Sequence, residues 1–247
     1  FAIGTETWGS ILTPAAFNGI TGLRPTYGRV SRHGAMALSW TMDKIGPMAR
    51  TAEDCATVLA AITGPDPNDP ATTDRPLPAV PAQREGFRFA VLRGAAAQAQ
   101  PEVAANFEAA LAVLRAIGTV HEVDLPDLPW DATASVVVMA EAASAFEEFM
   151  TSGRSAELTA PEDRVGLHHA LVLPAVDYLR ALRIRRRAMR ELDALLASYD
   201  AIVAPTLPYV ATPIRDHFAT WFGRERGPSL GAAGNLCGVP SITVPNG

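Results

Sequence analysis

The chain has 247 residues, 48% of them hydrophobic, with a net charge of −5 and a mean hydropathy of +0.11. This allows one large domain or two small ones with an extensive core, and argues against a disordered chain. The acidic balance gives no electrostatic case for nucleic acid, and no apolar run approaches the ~20 residues of a membrane helix. Two distant cysteines, Cys55 and Cys237, without Cys/His clustering argue against a disulfide scaffold and a zinc site.

In chain order, Gly4 to Arg29 comes first. It holds five glycines and two prolines interleaved with Trp8, Ile11, Leu12, Phe17, Ile20, Leu23 and Tyr27. Glycine permits backbone shapes that a Cβ resists, so this run predicts irregular main chain packed inside the protein, with every N–H and C=O needing a partner. Ser10 follows Gly9 in its middle; by itself a Gly-Ser pair reads as a turn or helix cap. Residues 30–50 read as loop and short turns. His33, beside Arg32, reads as a surface or hydrogen-bonded histidine.

Thr51 starts a helix, because Thr51-x-x-Asp54 is a capping box and Cys55, Val58, Leu59 and Ile62 form one apolar stripe. Cys55 on that stripe reads as core, and Gly64 ends the helix. Residues 64–86 contain six prolines and predict an extended surface crossing. Phe87–Leu92 predicts a strand, Pro101–Ile117 a helix and Thr119–Leu125 a second strand; a unit of this length predicts a crossover between parallel strands. Ala132–Met150 predicts a helix rich in Ala and Glu. His168-His169 is a tempting metal pair, but adjacent residues point to different sides of a helix and no carboxylate at i+4 completes a site, so no metal is expected. Pro174–Ser198 predicts the longest helix, with Leu179, Leu182, Met189, Leu192 and Leu195 as its apolar stripe. Its arginines (Arg180, Arg183, Arg187 and Arg190, with Arg185 and Arg186 beside them) read as a solvated face, some pairing with acids. Ala201–Ala204 predicts a short buried strand and Ser241–Val244 a last one.

Gly4-Thr5-Glu6-Thr7-Trp8-Gly9-Ser10-Ile11-Leu12-Thr13-Pro14-Ala15, then Gly19, Gly22-Leu23-Arg24-Pro25-Thr26 and Gly28-Arg29, resemble in order the core pattern of the amidase signature family. Asp43-Lys44-Ile45-Gly46-Pro47, Ala49-Arg50-Thr51, Tyr199-Asp200, Pro205-Thr206, Asn235 and Gly238-Val239-Pro240 extend the match over nearly the whole chain, most weakly across residues 86–180. The chain departs from the pattern at Glu6, Trp8 and Leu12, where the family has Asp, Gly and often Arg.

The resemblance implies an α/β layered fold, helices around a mixed sheet, and an amidohydrolase that cleaves a carboxylic amide through an acyl-enzyme. By match to the motif, Ser10 is the nucleophile and the backbone N–H groups of Thr7, Trp8, Gly9 and Ser10 form the oxyanion hole, with the Trp8 indole lining the acyl pocket. The family's base is a neutral lysine acting through a second serine held by a cis peptide bond. The one lysine, Lys44, lies in a different motif and reads as exposed and protonated. Residues 1–247 are therefore expected to be part of a single amidase domain, lacking an amino-terminal portion that carries the lysine and relay serine and a shorter carboxy-terminal portion, and to be inactive alone. The expected substrate is a small-molecule amide, with no cofactor and a cytoplasmic location. Alternatives are the glutamine amidase subunit of a tRNA-dependent amidotransferase, which needs partner subunits, and a non-catalytic relative that only binds. A homodimer is the expected assembly if there are no such partners.

Overall fold

The computed structural model describes residues 1–77, 86–216 and 229–247. Their order is β1 (Ala2–Glu6), α1 (Leu12–Phe17), β2 (Thr21–Arg24), β3 (Lys44–Ala49), α2 (Ala52–Ile62), β4 (Phe87–Leu92), α3 (Pro101–Ile117) and β5 (Gly118–Val123). Then come α4 (Trp130–Ala145), α5 (Glu147–Thr151), α6 (Asp163–Gly166), α7 (Ala175–Leu196), β6 (Ala201–Val203), α8 (Gly231–Cys237) and β7 (Ser241–Thr243). The class is α/β, as expected, and the strands fall into two sheets among the described residues. One is antiparallel, in the order β1-β3-β2-β7, and the other is parallel, in the order β5-β4-β6.

Glycines set how α1 lies on the antiparallel sheet. Gly4 and Gly46 are paired across β1 and β3, and Ile11 and Ala15 press down on the same face. A Cβ on Gly22 would come 2.6 Å from the Ala15 Cβ, so only glycine lets the short helix approach this closely. The run from Gly4 to Arg29 is thus more regular than its composition suggests. It folds as strand, turn, helix and strand, with irregular backbone at residues 7–11, 18–20 and 25–29.

The crossover reading of β4, α3 and β5 is borne out. The two strands are parallel with Phe87 opposite Gly118, and Phe107 and Leu111 of α3 close over Val91. Thr51 caps α2 by accepting from Asp54 N, while Cys55 and Leu59 are buried; burial raises the Cys55 thiol pKa, in keeping with a core role.

Several elements differ from expectation. β3 lies where loop was expected, because Gly46 and Pro47 mask its alternation, and α8 precedes the Gly238 turn without a sequence signal of its own. The helix expected over residues 132–150 breaks at Phe146 into α4 and α5. On α7 the expected stripe holds in part: Leu192 is buried and Leu182 and Leu195 pack against the core, but Leu179 and Met189 are 53% and 46% exposed, and Ala181 and Ala188 take the other buried places. Small residues at the contact bring α7 close to α4 and α8, where Met42, Val137, Leu192 and Leu236 form the main core. His168 and His169 sit on a short 3₁₀ turn rather than an α-helix. Trp221 and Phe222 lie outside the described residues.

Candidate active site

The chain leaves β1 at Glu6 and enters α1 at Leu12, and three consecutive residues of the turn between them are fastened to three different places. Glu6 folds back along the turn. Its Oε2 accepts from Ile11 N at 2.9 Å and Leu12 N at 3.1 Å, and its Oε1 accepts from Arg24 Nη1 at 2.8 Å. Burial alone would push this carboxyl up, but the Arg24 charge and the donated hydrogen bonds outweigh it and hold the group below its usual value. Arg24 also donates to Val239 O, which ties β2 to the segment after α8. The extra methylene of glutamate is therefore used: the carboxylate spans the turn and closes it.

Thr7 is buried, and its Oγ1 donates to Asp43 Oδ1 at 2.5 Å. Trp8 is half-buried against the core formed by α4, α7 and α8, with the edge of its indole over Gly231. Among the described residues no non-glycine has positive φ, so Trp8 stands without backbone strain; the left-handed step falls on Gly9, at φ 98°. Ser10 comes next and is exposed. Outside the strand ladders, none of the backbone N–H groups of residues 7–10 donates to an acceptor among the described residues. The turn thus presents an exposed hydroxyl beside a run of uncommitted N–H donors, an arrangement suited to attacking a carbonyl carbon and receiving charge on its oxygen.

Behind the turn lies a buried polar cluster that the sequence reading missed. Asp43 Oδ2 accepts from Leu38 N at 2.8 Å and Ser39 N at 3.0 Å. Glu141, buried on α4, accepts from Ser39 Oγ at 2.6 Å, Thr41 N at 3.1 Å, Thr41 Oγ1 at 2.8 Å and Tyr178 Oη at 2.9 Å. Burial, and then the Glu141 hydrogen bond, push the Tyr178 phenol up to about 12, so it stays protonated and donates. Arg185 of α7 donates to Thr41 Oγ1, Thr41 O and Leu236 O. It occupies the buried stripe of α7 between Ala181 and Ala188, so the reading of the α7 arginines as a solvated face fails here. It holds for Arg180 and Arg187, which pair on the surface with Asp177 and Glu191. The available signal was the acid at position 141, in phase with buried Ala134, Val137 and Val138 on α4.

Lys44 also corrects the sequence reading. It is buried on β3 opposite Glu6, and its Nζ donates to Met42 O. Burial, then the neighbouring Arg24 charge, push its pKa down to about 7. It is not an exposed, always protonated lysine: it is buried with its Nζ donating to Met42 O, whereas Ser10 is exposed. His33 is exposed, and no group of His, Cys, Asp or Glu among the described residues is placed to hold a metal. Nor is any described helix long and apolar enough to cross a membrane.

A family model described as Amidase matches residues 1–247. A glutamyl-tRNA(Gln) amidotransferase subunit of Thermus thermophilus is 37% identical over 275 residues, covering 100% of this chain and 57% of that protein. The crystal structure of the corresponding amidotransferase subunit of Thermotoga maritima superposes with a TM-score of 0.77 at 30% identity, covering 98% of this chain and 54% of that one. The native peptide amidase of Stenotrophomonas maltophilia superposes with a TM-score of 0.74 at 33% identity, covering 100% of this chain and 55% of that one. The chain therefore spans a little over half the length of the relatives it matches.

Proposed function

The chain belongs to the amidase family, and from that membership we propose that it carries the nucleophile and oxyanion hole of an enzyme that cleaves carboxylic amides. Residues 1–247 form part of one amidase domain. Ser10 Oγ attacks the amide carbonyl carbon, and the carbonyl π pair moves to oxygen, which accepts hydrogen bonds from the N–H groups of Thr7, Trp8, Gly9 and Ser10. Each such donor is worth roughly 10²–10³ in rate. Collapse breaks the C–N bond, the amine leaves with a proton, and water later releases the acyl group from Ser10. As the family resemblance implies, a neutral lysine acting through a second serine removes the Ser10 proton. The solvent-facing part of the Trp8 indole borders the acyl group.

One observation carries this reading: Glu6, Thr7 and Trp8 are each anchored, which leaves Ser10 exposed beside donors that no described residue uses. In the complete protein, Ser10→Ala is expected to lower turnover of an aryl amide on the order of 10⁴-fold or more. Retained turnover would overturn the assignment.

A second reading, the glutamine amidase subunit of an amidotransferase, draws on the 37% identity to a protein of that kind. It requires partner chains and ammonia transfer. Co-purification with partner subunits and glutamine-dependent ammonia release separate it from a free-standing amidase.

A further inference from the structure

We infer that Asp43 is a positioning residue for acyl transfer: it holds the start of the Ser10 turn through the Thr7 hydroxyl and is itself fixed by the buried cluster around Glu141. The inference rests on the acylation of Ser10 proposed above. The two carboxylate oxygens of Asp43 have separate tasks. Oδ1 takes the Thr7 hydroxyl at 2.5 Å, and Oδ2 takes the backbone N–H groups of Leu38 and Ser39. Backbone turns at Ser39 add to the clamp, since Met42 N and Asp43 N both donate to Ser39 O. Ser39 and Thr41 are then fastened to α4 by Glu141, and Thr41 also to α7 by Arg185. Helix, loop, carboxylate and threonine so form one connected path that ends at Thr7, the first proposed oxyanion donor.

A backbone donor can serve a transition state only if its N–H is held in place before the charge arrives. Thr7 has one side-chain handle, and Asp43 grips it. An asparagine at position 43 keeps size and one acceptor oxygen, but it cannot accept on both sides. A valine at position 7 keeps shape and loses the hydroxyl. In each variant the turn keeps its Glu6 and Trp8 anchors, so the fold stays while the donor geometry loosens.

The test is a double-mutant cycle in the complete protein with Asp43→Asn, Thr7→Val and both together, using an aryl amide as substrate and thermal unfolding alongside. Each single variant is expected to lower kcat roughly 10–100-fold with KM within about twofold. The double variant should be no worse than the weaker single, and Thr7→Ser, which keeps the hydroxyl, should recover most of the loss. Unchanged kcat in Thr7→Val, or losses that multiply in the double variant, would overturn the inference. Thr7→Val alone decides the matter if Asp43→Asn does not fold. Ser10→Ala is run in parallel. If it retains turnover, the acylation reading fails; if it is inactive while Thr7→Val matches the parent, only the positioning role fails.

Discussion

Glu6 and Arg24 meet at 2.8 Å with both side chains sealed from water, at 0% and 2% exposure. The pair joins the end of β1 to β2 beneath the serine turn. Breaking such a pair from one side leaves an uncompensated buried charge, so Glu6→Gln is expected to cost roughly 3–5 kcal/mol in urea unfolding of the complete protein. The pH dependence follows from the lowered carboxyl pKa. The stabilisation is complete above the unfolded value of 4.5 and is lost as pH falls through the lower folded value. The gap between parent and Glu6→Gln should therefore narrow on acidification below that point. A gap that widens in acid would contradict this account.

Lys44 has the opposite cost. Its pKa falls from 10.5 to about 7, so between those values the unfolded chain binds a proton that the folded chain does not. Stability of the parent should rise with pH across that window, and burial of the charged form costs most at pH 7 and below. Lys44→Met should therefore be relatively most favourable near neutrality and lose up to ~4 kcal/mol of that relative advantage towards pH 10. Paired denaturant titrations at several pH values read this directly; a pH-independent difference would place the lysine in water.

Glu141 is expected to be the main polar support of the loop before β3. Glu141→Ala strands the donors of Ser39, Thr41 and Tyr178 in the interior and should cost about 3 kcal/mol. With the acceptor gone, the Tyr178 phenol should titrate below about 12, part of that value being due to Glu141. Ultraviolet titration of the variant against the parent checks it, and an unmoved phenol would mean that burial alone sets the value.

Trp8 is expected to set acyl size. Trp8→Phe keeps an aromatic ring against the α4–α7–α8 core but is shorter, so kcat/KM for a bulky acyl amide should rise relative to a small one by about tenfold. A uniform loss on both substrates would show that the indole only holds the turn.

Elements with a local signal were legible in the sequence. The capping threonine at 51, Pro101 at the start of α3 and the alternation of Phe87–Leu92 each mark a boundary within a few residues of the chain itself. What was missed depends on distant partners. Lys44 reads as a surface charge because its burial follows from the pairing of β3 with β1, where it stands opposite Glu6, and Arg185 does so because Thr41 and Leu236 O, which receive it, are far away in the chain. The position of Ser10 came from its motif, while the use of Glu6, Thr7 and Trp8 as three separate anchors needed the positions of Arg24, Asp43 and α8.

The central claim is that Ser10 becomes acylated, and the site of a covalent adduct tests it most directly. The complete protein should be treated with a fluorophosphonate, digested and mapped by mass spectrometry. The account predicts one adduct on the peptide containing Ser10, absent in Ser10→Ala. An adduct on another residue, with Ser10 unmodified and Ser10→Ala labelled as strongly as the parent, would contradict it.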